Sequence, residues 1–338
     1  MNNFKHKQVI IWGFALHQHT HSYIHYGLYR AFKSLGIETY WIDPAKGWIY
    51  EGNPSNINFD NALIFSEYYA DSQRIPRAKS STYAIHYVGN KGTVPGAKEF
   101  LGRVGRFIDV RHCPMYYWED KNYSYKIDDT IQPWISSGCR LEKAADYDRF
   151  YMNWATDLLP EEINFGDRYI QRKKETNFIG TIGGGMGGLD DCKKAPDEYD
   201  NAPALREFRR ACVESGIEFK SNCPWKNPVS SKEQKILVQN SWVAPDIRHP
   251  SMLAWGYIPC RIMKNISYGQ LGGTNSKAVY DFFKGKVVYN SDPYQLFYDC
   301  QAEKDNHDLI FEQMKFVKEN HTYVNRAKSL IKVVNNVQ

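Results

Sequence analysis

The sequence contains no apolar run near the roughly 20 residues that a membrane-spanning helix needs, and no C-x-x-C pair. Its seven cysteines occur singly, which indicates reduced thiols and neither a disulfide nor a zinc framework. The net charge of +5 is mild. The sequence also lacks the clusters of Lys and Arg that nucleic-acid-binding domains carry. The basic N-terminus leads into a short apolar run without a small-residue cleavage site, which favours a first strand over a signal peptide. Together these absences predict a cytoplasmic protein without a transmembrane segment.

Several catalytic signatures are also missing. The sequence has neither a G-x-S-x-G elbow nor a cysteine-nucleophile signature, and Leu189 stands where a P-loop would have its lysine. A glycine-rich loop, Gly183–Gly188, follows a predicted strand and matches G-x-G-x-x-G, which is typical of nicotinamide and flavin sites. A charged segment containing proline follows the loop, whereas a true fingerprint opens a helix at once. An NAD(P)-dependent oxidoreductase is therefore an alternative hypothesis, and in either case the glycines allow a ligand to approach closely.

The length of 338 residues exceeds that of a usual single core and predicts two domains. In the first half, a strand at 8–15, an amphipathic helix at 22–35 and a strand at 38–43 form a βαβ unit, whose crossover implies a parallel sheet. Further strands are predicted at 62–66, 83–88 and 106–110. We therefore expect an α/β fold with a Rossmann-like first domain.

The second half repeats this alternation. Strands are predicted at 177–182, 217–220, 241–247 and 287–289, and helices at 204–215, 231–239 and 277–284. A long, Lys-rich helix is predicted over about 308–334. This pattern indicates a second βα domain of similar design.

The stretch from Gly256 to Asn290 has the composition of a phosphate-binding segment. A Gly-Tyr-Ile-Pro turn precedes two cations three residues apart, Arg261 and Lys264, and a run of hydroxyl, amide and glycine residues follows. We interpret that run as a loop rather than a core element. Backbone N–H groups at a helix start, with Arg and Lys, neutralise a bound anion. The alternative interpretation is that the two cations lie on a solvated face.

Histidines and an aspartate are the candidate bases of the first domain. His17, His19 and His21 follow the first predicted strand, and Asp109 ends a later strand of the same sheet beside Arg111. Ligands of open α/β sheets bind beyond the carboxyl ends of the strands, where these residues are expected. His19, His21 or Asp109 would serve as a general base. The alternatives are a metal site in the histidine loop, for which no further ligand is evident, and a structural ion pair at Asp109.

In the order of its elements, nearly the whole chain resembles a glycosyltransferase of the GT-B fold. NFIGTIGGG with ALREFRRACVESGIEF resembles the opening of such a donor domain, and SWVAPDIR with GYIPCRIMKNISYG is similar to the part that binds the nucleotide diphosphate. AVYDFFKGKVVYNSDPYQLFYD resembles the closing helix, strand and helix. The resemblance implies two facing Rossmann-like domains, with an acceptor domain at 1–160, a donor domain at 161–310 and a terminal helix at 311–338 that crosses back to the first.

The resemblance also implies the activity. The chain would transfer a sugar from a nucleoside-diphosphate sugar, with UDP or GDP expected, to a hydroxyl of a glycan or another acceptor, without a metal or other cofactor. The spaced glutamate pair of the large retaining family is absent, which favours inversion. Asp109-Val110-Arg111 is similar to the Asp-Ile-Arg of a phage DNA glucosyltransferase, so a modified base is the one nucleic-acid acceptor considered.

A non-catalytic protein that binds nucleotides or glycans is the remaining alternative. The donor-binding residues would be Arg261, Lys264, Ser267, Tyr268, Gly269, Asn275, Ser276, Gly183, Gly184 and Arg248.

Overall fold

A computed structural model describes most of the chain, namely residues 4–19, 21–67, 74–87, 100, 102–112, 137–143, 147–182, 189–190, 192, 200–223 and 226–335. The chain divides into two compact units. Unit 1 comprises the described residues of Met1–Glu119, Ser136–Leu159 and His321–Gln338, and unit 2 those of Pro160–Asn320.

Unit 1 is built on an eight-stranded sheet in the order β3-β2-β1-β4-β5-β6-β8-β7. Six neighbouring strands, from β2 to β8 in that order, are parallel, and β3 and β7 are antiparallel to their neighbours. The strands are β1 (Gln8–Trp12), β2 (Glu38–Asp43), β3 (Trp48–Tyr50), β4 (Ala62–Glu67), β5 (Thr82–Tyr87), β6 (Arg106–Arg111), β7 (Cys139–Lys143) and β8 (Asp148–Met152).

The apolar runs of the first half form the centre of this sheet, as predicted. All five residues of β1 are buried, as expected of a parallel strand that is covered on both faces. Helix α1 (Ser22–Ser34) connects β1 to β2, and the next strand in sequence after the β2–β3 pair, β4, lies on the other side of β1. The strand order thus reverses at β1, which places a topological switch point between β1 and β4. The α/β, Rossmann-like character of unit 1 is therefore confirmed.

The antiparallel edge strands were not predicted. A 3₁₀ turn at Pro44–Lys46 and Gly47, at a φ of 59°, reverse the chain from β2 into β3. Three of the five residues of β7 are charged, so it lacks the apolar run by which the central strands were recognised. Short, charged edge strands are common because they discourage further pairing.

Unit 2 has two pairs of parallel strands and seven helices among its described residues. β9 (Glu175–Ile179) pairs with β10 (Glu218–Asn222), and β11 (Gly273–Thr274) pairs with β12 (Val288–Tyr289). The helices are α2 (Ala202–Glu214), α3 (Ser231–Asn240), α4 (Pro250–Ala254), α5 (Cys260–Ser267), α6 (Lys277–Phe282), α7 (Pro293–Glu303) and α8 (His307–Asn320).

The strand predicted over 241–247 is reduced to one bridging residue. Trp242 donates its N–H to the carbonyl of Glu175, and the N–H of Asp246 donates to the carbonyl of Gly273 at 2.7 Å. Asp246 also forms an isolated parallel bridge with Thr274. The segment therefore connects β9 to β11 through a few hydrogen bonds and makes no continuous ladder.

The stretch after Pro259 differs most from its prediction. Arg261 and Lys264 lie on α5, and every residue from Ile262 to Ser276 is buried, including the run that was predicted to be a loop. The interpretation of this run as a loop outside the core is wrong. Its hydroxyl and amide side chains are buried because they bond backbone groups within unit 2, for example the Asn265 amide to the carbonyl of Ala244 at 2.6 Å.

The single helix predicted over about 308–334 is also wrong, because α8 ends at Asn320 and α9 spans Tyr323–Asn335. Thr322 and Asn325 form a reciprocal cap, in which the threonine N–H donates to the Asn325 side chain and the Asn325 N–H donates to the threonine hydroxyl. Thr322 also forms a parallel bridge with Thr156. The cap and the bridge interrupt the helix where the chain passes from unit 2 to unit 1.

Candidate functional site

A buried carboxylate in unit 2 holds two arginines. Asp246 is fully buried, and its Oδ1 lies 2.5 Å from Nη2 of Arg248 and 3.7 Å from Nη1 of Arg261. The Thr274 hydroxyl donates to Oδ2 at 3.3 Å. Since two guanidinium groups share one carboxylate, this cluster carries an excess of positive charge.

Arg261 is packed against the end of β9. Its Nε donates to the carbonyl of Ile179 at 3.3 Å, and its guanidinium lies 4.2 Å from the ring centroid of Phe178. Gly180 leaves room for this guanidinium at the strand end, since a Cβ there would lie 1.8 Å from Nη2 of Arg261. The guanidinium thus occupies the carboxyl end of a parallel strand, where α/β sheets bind ligands.

The positive charge of the two arginines favours the binding of an anion. Burial, and then the positive charge of Arg248, lower the pKa of Arg261 to about 10, while Asp246 offsets only part of this cost. Nη1 of Arg261 and Nε of Arg248 are buried without a hydrogen-bond partner among the described residues. A bound phosphate or carboxylate would supply both the missing charge and the missing acceptors.

Asn275 holds the backbone of Arg248 in place. Its Oδ1 accepts from the Arg248 N–H at 2.9 Å, and its Nδ2 donates to the Arg248 carbonyl at 3.1 Å. Ser276 caps α6 by accepting from the Val279 N–H. Both predicted donor-binding residues therefore have backbone partners, and Asn275 acts on the site by positioning Arg248.

The other residues predicted from α5 and the turn after it lie apart from this cluster. Lys264 is 7% exposed, and its Nζ donates to Oε1 of Gln234 on α3 at 3.1 Å. The Ser267 hydroxyl donates to the Lys264 carbonyl, and Tyr268 is buried at the end of α5. At Gly269, with a φ of 90°, a Cβ would lie 2.6 Å from the backbone of Asp167. Arg261 thus shares the carboxylate of Asp246 with Arg248, itself a predicted donor-binding residue, whereas Lys264 bonds Gln234.

Two of the predicted donor-binding residues belong to the glycine-rich loop. Gly183 and Gly184, like the rest of Gly183–Gly188, lie outside the described residues.

The carboxylate of Asp109 in unit 1 forms ion pairs with two arginines. It is fully buried on β6, and its Oδ1 and Oδ2 accept from Nε of Arg111 at 2.6 Å and Nε of Arg149 at 3.0 Å. Burial lowers the pKa of Arg149, whereas the hydrogen bond and charge of Asp109 raise it, and the net change is upward. With both oxygens bonded to cations, this carboxylate is poorly placed to accept a proton from a substrate.

The histidine loop joins a cluster that sequence reasoning did not find. His19 stacks on Phe14 and lies edge-on to His21, with ring centroids 4.3 Å and 4.7 Å apart. His21, the residue before α1, lies 5.9 Å from the ring of His86. The rings of His86 and His112 each lie 4.6 Å from that of Trp154. His86 lies near the end of β5, His112 follows β6 and Trp154 follows β8. The predicted strands were an available signal for the two histidines but not for Trp154, because no strand was predicted at β8.

His25, one helical turn after His21, packs into the core of unit 1. His25 is fully buried against Trp41 and Phe65, and a Cβ at Gly13 would lie 2.1 Å from its ring. Within the described ranges, no group of three His, Cys, Asp or Glu side chains could hold a metal ion. The histidine cluster therefore offers imidazole groups, half-buried at His19 and His21, at the carboxyl edge of the sheet.

The chain matches no protein-family model, and no curated protein is significantly similar to it in sequence. Among the described residues, no helix is both long and apolar enough to cross a membrane. The six described cysteines are free thiols.

Proposed function

We propose that the chain is a glycosyltransferase that uses a nucleoside-diphosphate sugar, whose diphosphate is bound by Arg248 and Arg261. One observation supports this assignment above the others, namely that two guanidinium groups, of side chains only 11% and 15% exposed, share the single, fully buried carboxylate of Asp246. Anionic ligands of α/β sheets bind at the carboxyl ends of strands, where Arg261 lies.

The two arginines would act on the leaving group. As the bond to the sugar breaks, negative charge grows on the departing diphosphate, and fixed cations stabilise that charge more in the transition state than in the ground state. Lys264 has a supporting role in this proposal, because its hydrogen bond to Gln234 fixes α5 against α3.

The proposal assigns the base to the histidine loop rather than to Asp109. An inverting transfer needs a group that accepts the proton of the acceptor hydroxyl. Both oxygens of Asp109 already accept from arginines, whereas His19 and His21 are half-buried at the edge of the sheet. His19 or His21 would therefore deprotonate the acceptor.

Binding and turnover together test the proposal. UDP, GDP, CDP, ADP, TDP and NAD(P)H are each added to the protein, and its thermal unfolding is followed. A nucleoside diphosphate at a hundredfold excess over its dissociation constant should stabilise the protein by about 2.7 kcal/mol. The matching sugar nucleotide should then be consumed, with Arg261→Gln reducing turnover by roughly a hundredfold.

Arg210→Gln provides the matched control, since Arg210 is an exposed arginine of α2 that pairs with Glu207. This variant should bind and turn over nucleotide like the wild type. Stabilisation without turnover would identify a non-catalytic nucleotide-binding protein. If only NAD(P)H stabilised the protein, or if Arg261→Gln bound the nucleotide unchanged, the proposal would be wrong.

A further inference from the structure

The excess positive charge of the chain comes from two segments that are distant in sequence. Residues 1–37 and 321–338 contain seven Lys and Arg and no Asp or Glu. The rest of the chain contains 36 Lys and Arg against 38 Asp and Glu, so it is close to neutral. Both segments belong to unit 1, where their described residues include β1, α1 and α9. The net charge of +5 is therefore concentrated in one part of unit 1.

Helices α1 and α9 lie side by side and run in the same direction. Helix α1 connects the parallel strands β1 and β2, so it runs opposite to them. Helix α9 begins beyond the carboxyl end of β8, where Thr322 bridges to the chain that follows this strand. Its last turn lies at the amino end of β6, where Arg106 donates to the carbonyl of Val333. A Cβ at Gly27 would lie 2.2 Å from the ring of Tyr323, so the two helices are in contact.

Three exposed lysines lie at neighbouring levels of the two helices. Lys33 follows Gly27 by about 9 Å along α1. Lys328 and Lys332 follow Tyr323 by about 8 Å and about 14 Å along α9, and their spacing of four residues places them on one helix face. Because the helices touch at Gly27 and Tyr323, Lys33 lies level with the part of α9 between its two lysines.

The segment before β1 adds two exposed lysines at the same end of the helices. The N–H of Lys5 donates to Oδ1 of Asn335, the last residue of α9, at 2.9 Å. Lys7 directly precedes β1, and its N–H donates to the carbonyl of Asn61 at 2.9 Å. The two segments that lack acidic residues thus bring their lysines to the amino edge of the sheet.

These lysines are not neutralised within unit 1. Within the ranges that the structure describes, none of the five forms an ion pair. The carboxylates that begin or precede β2, β4 and β8 at this edge have partners of their own, namely Glu38 with Tyr40, Asp60 with Ser80 and Asp148 with Arg106. A second copy of the chain would present the same positive charge, so the charge favours a partner with an anionic surface.

The kind of cation distinguishes between two anionic partners. The exposed cations of the two segments are lysines, because Arg326 is fully buried and the Arg30 guanidinium donates to the carbonyl of Asp157 at 2.8 Å. Arginine makes the fixed, bidentate contacts with phosphate that nucleic-acid recognition uses, whereas lysine is a compact charge on a flexible stem. Flexible point charges match a fluid layer of lipid headgroups better than the fixed phosphates of a nucleic acid.

We infer that Lys5, Lys7, Lys33, Lys328 and Lys332 form a lysine face that docks unit 1 onto an anionic phospholipid bilayer. Clusters of lysine on a helical surface are attracted to acidic headgroups, and each lysine that reaches the bilayer surface strengthens binding roughly fivefold. Binding is peripheral, since the face supplies charge and no membrane-spanning helix is needed. This inference does not rest on the proposed function.

Sedimentation of the full chain with vesicles tests the lysine face. Vesicles of phosphatidylcholine with about 30% phosphatidylserine are compared with vesicles of phosphatidylcholine alone. We expect the protein to bind the anionic vesicles, to bind the neutral ones far more weakly, and to be released by added sodium chloride, because salt screens exposed charges. Replacing both lysines of α9, Lys328→Gln with Lys332→Gln, should lower the affinity about twentyfold.

A second double variant controls for the loss of charge. Lys232→Gln with Lys315→Gln removes the same charge from exposed positions of α3 and α8 in unit 2, and its affinity should equal that of the wild type. Thermal unfolding of both variants should match the wild type, because all four side chains are exposed. Equal affinity for neutral and anionic vesicles, or equal losses in the two double variants, would overturn the inference.

Two further measurements separate this inference from its alternatives. A DNA duplex that binds more tightly than the vesicles at the same phosphate concentration, and that loses affinity with Lys328 and Lys332, would assign the face to nucleic acid and overturn the inference. Nucleoside-diphosphate binding is measured on the same variant, and it should be unchanged. Vesicle binding without nucleotide binding would retain the lysine face and reject the glycosyltransferase proposal, and nucleotide binding without vesicle binding would do the reverse.

Discussion

The two-residue spacing of aspartate and arginine follows from strand geometry. Side chains at i and i+2 of a strand point to the same face, about 7 Å apart along the chain. An arginine is long enough to reach back across that distance to a carboxylate, as Arg111 does to Asp109.

Replacement of Gly180 should displace Arg261 without changing its charge. In Gly180→Ala the new methyl group would lie 1.8 Å from Nη2 of Arg261, so the guanidinium must move away from the carbonyl of Ile179. We expect the affinity for inorganic pyrophosphate, measured by calorimetry, to fall by about tenfold, the effect of one lost charged hydrogen bond.

Gly166→Ala is the control for this substitution. A Cβ at Gly166 would meet only the side-chain oxygen of Asn164 at 3.3 Å, so pyrophosphate affinity should not change. Equal affinities in Gly180→Ala and the wild type would show that Arg261 does not bind the anion.

Protonation of His321 should destabilise the protein at acid pH. Burial, and then the charge of Arg326, lower the pKa of His321 well below 6.5. Nδ1 of His321 lies 2.9 Å from Nη2 of Arg326 and must accept, because guanidinium has no acceptor. The unfolded chain binds this proton below about pH 6.5 and the folded chain does not. The free energy of unfolding should therefore decrease as the pH falls from 6.5.

Urea unfolding at pH 7.5 and pH 5.5 measures this dependence. One such proton contributes up to about 1.4 kcal/mol per pH unit. His321→Asn keeps an acceptor but cannot be protonated, so its unfolding free energy should fall less between the two pH values. Some dependence should remain, since burial also lowers the pKa of His6 and His17. The same decrease in variant and wild type would contradict the assignment.

At the scale of elements, apolar runs and helical periodicity predicted the central strands and α1 within one to three residues. They failed between Gly256 and Ser276, where buried polar residues such as Asn265 and Gln270 bond backbone carbonyls of other segments. Gln270 is an example, since its amide donates to the carbonyls of Val238, Gln239 and Ser241 at the end of α3. Partners from distant sequence positions leave no local pattern, so composition alone suggested a loop.

Gln270→Leu should strongly destabilise unit 2. The side chain is 1% exposed and donates to three carbonyls at the carboxyl end of α3, of which that of Val238 also accepts from the Ser241 N–H. Loss of these buried hydrogen bonds should lower the free energy of unfolding by about 3 kcal/mol. Gln295→Leu on α7 is the control, because its exposed amide bonds only Asp299, and it should change stability by less than about 0.5 kcal/mol. Similar losses in both variants would contradict this role.

At the scale of the whole molecule, the candidate site could be predicted only in part. Arg261, Arg248 and the histidine loop were found because each lies beside a predicted strand end or turn. His86, His112 and Trp154 were missed, because only the sheet order brings β5, β6 and β8 together. The spacing of Arg261 and Lys264 suggested a shared ligand, but the fold of α5 directs Lys264 to Gln234.

Helix α9 (Tyr323–Asn335) belongs to unit 1 and packs against its sheet and α1. Helix α9 packs on α1 so closely that a Cβ at Gly27 would lie 2.2 Å from the ring of Tyr323. Arg326 is fully buried and donates to the carbonyls of Asn153 and Ser137, beside β8 and β7. Arg106 of β6 donates to the carbonyl of Val333 at 2.6 Å. These contacts join α9 to three strands of the sheet.

A chain that ends at Asn320 should therefore lose stability in unit 1 and keep it in unit 2. Without residues 321–338, the sheet loses the arginine that bonds the carbonyls of Ser137 and Asn153, and the apolar face of α1 is exposed. Hydrogen exchange should become faster in β1, β4, β5 and β6, while β9 and the buried residues of α5 retain their protection. Arg326→Met should give a smaller change in the same strands, because it keeps α9 but removes the buried hydrogen bonds. Faster exchange in both units to the same degree, or in neither, would show that the C-terminal helix does not stabilise unit 1 independently of unit 2.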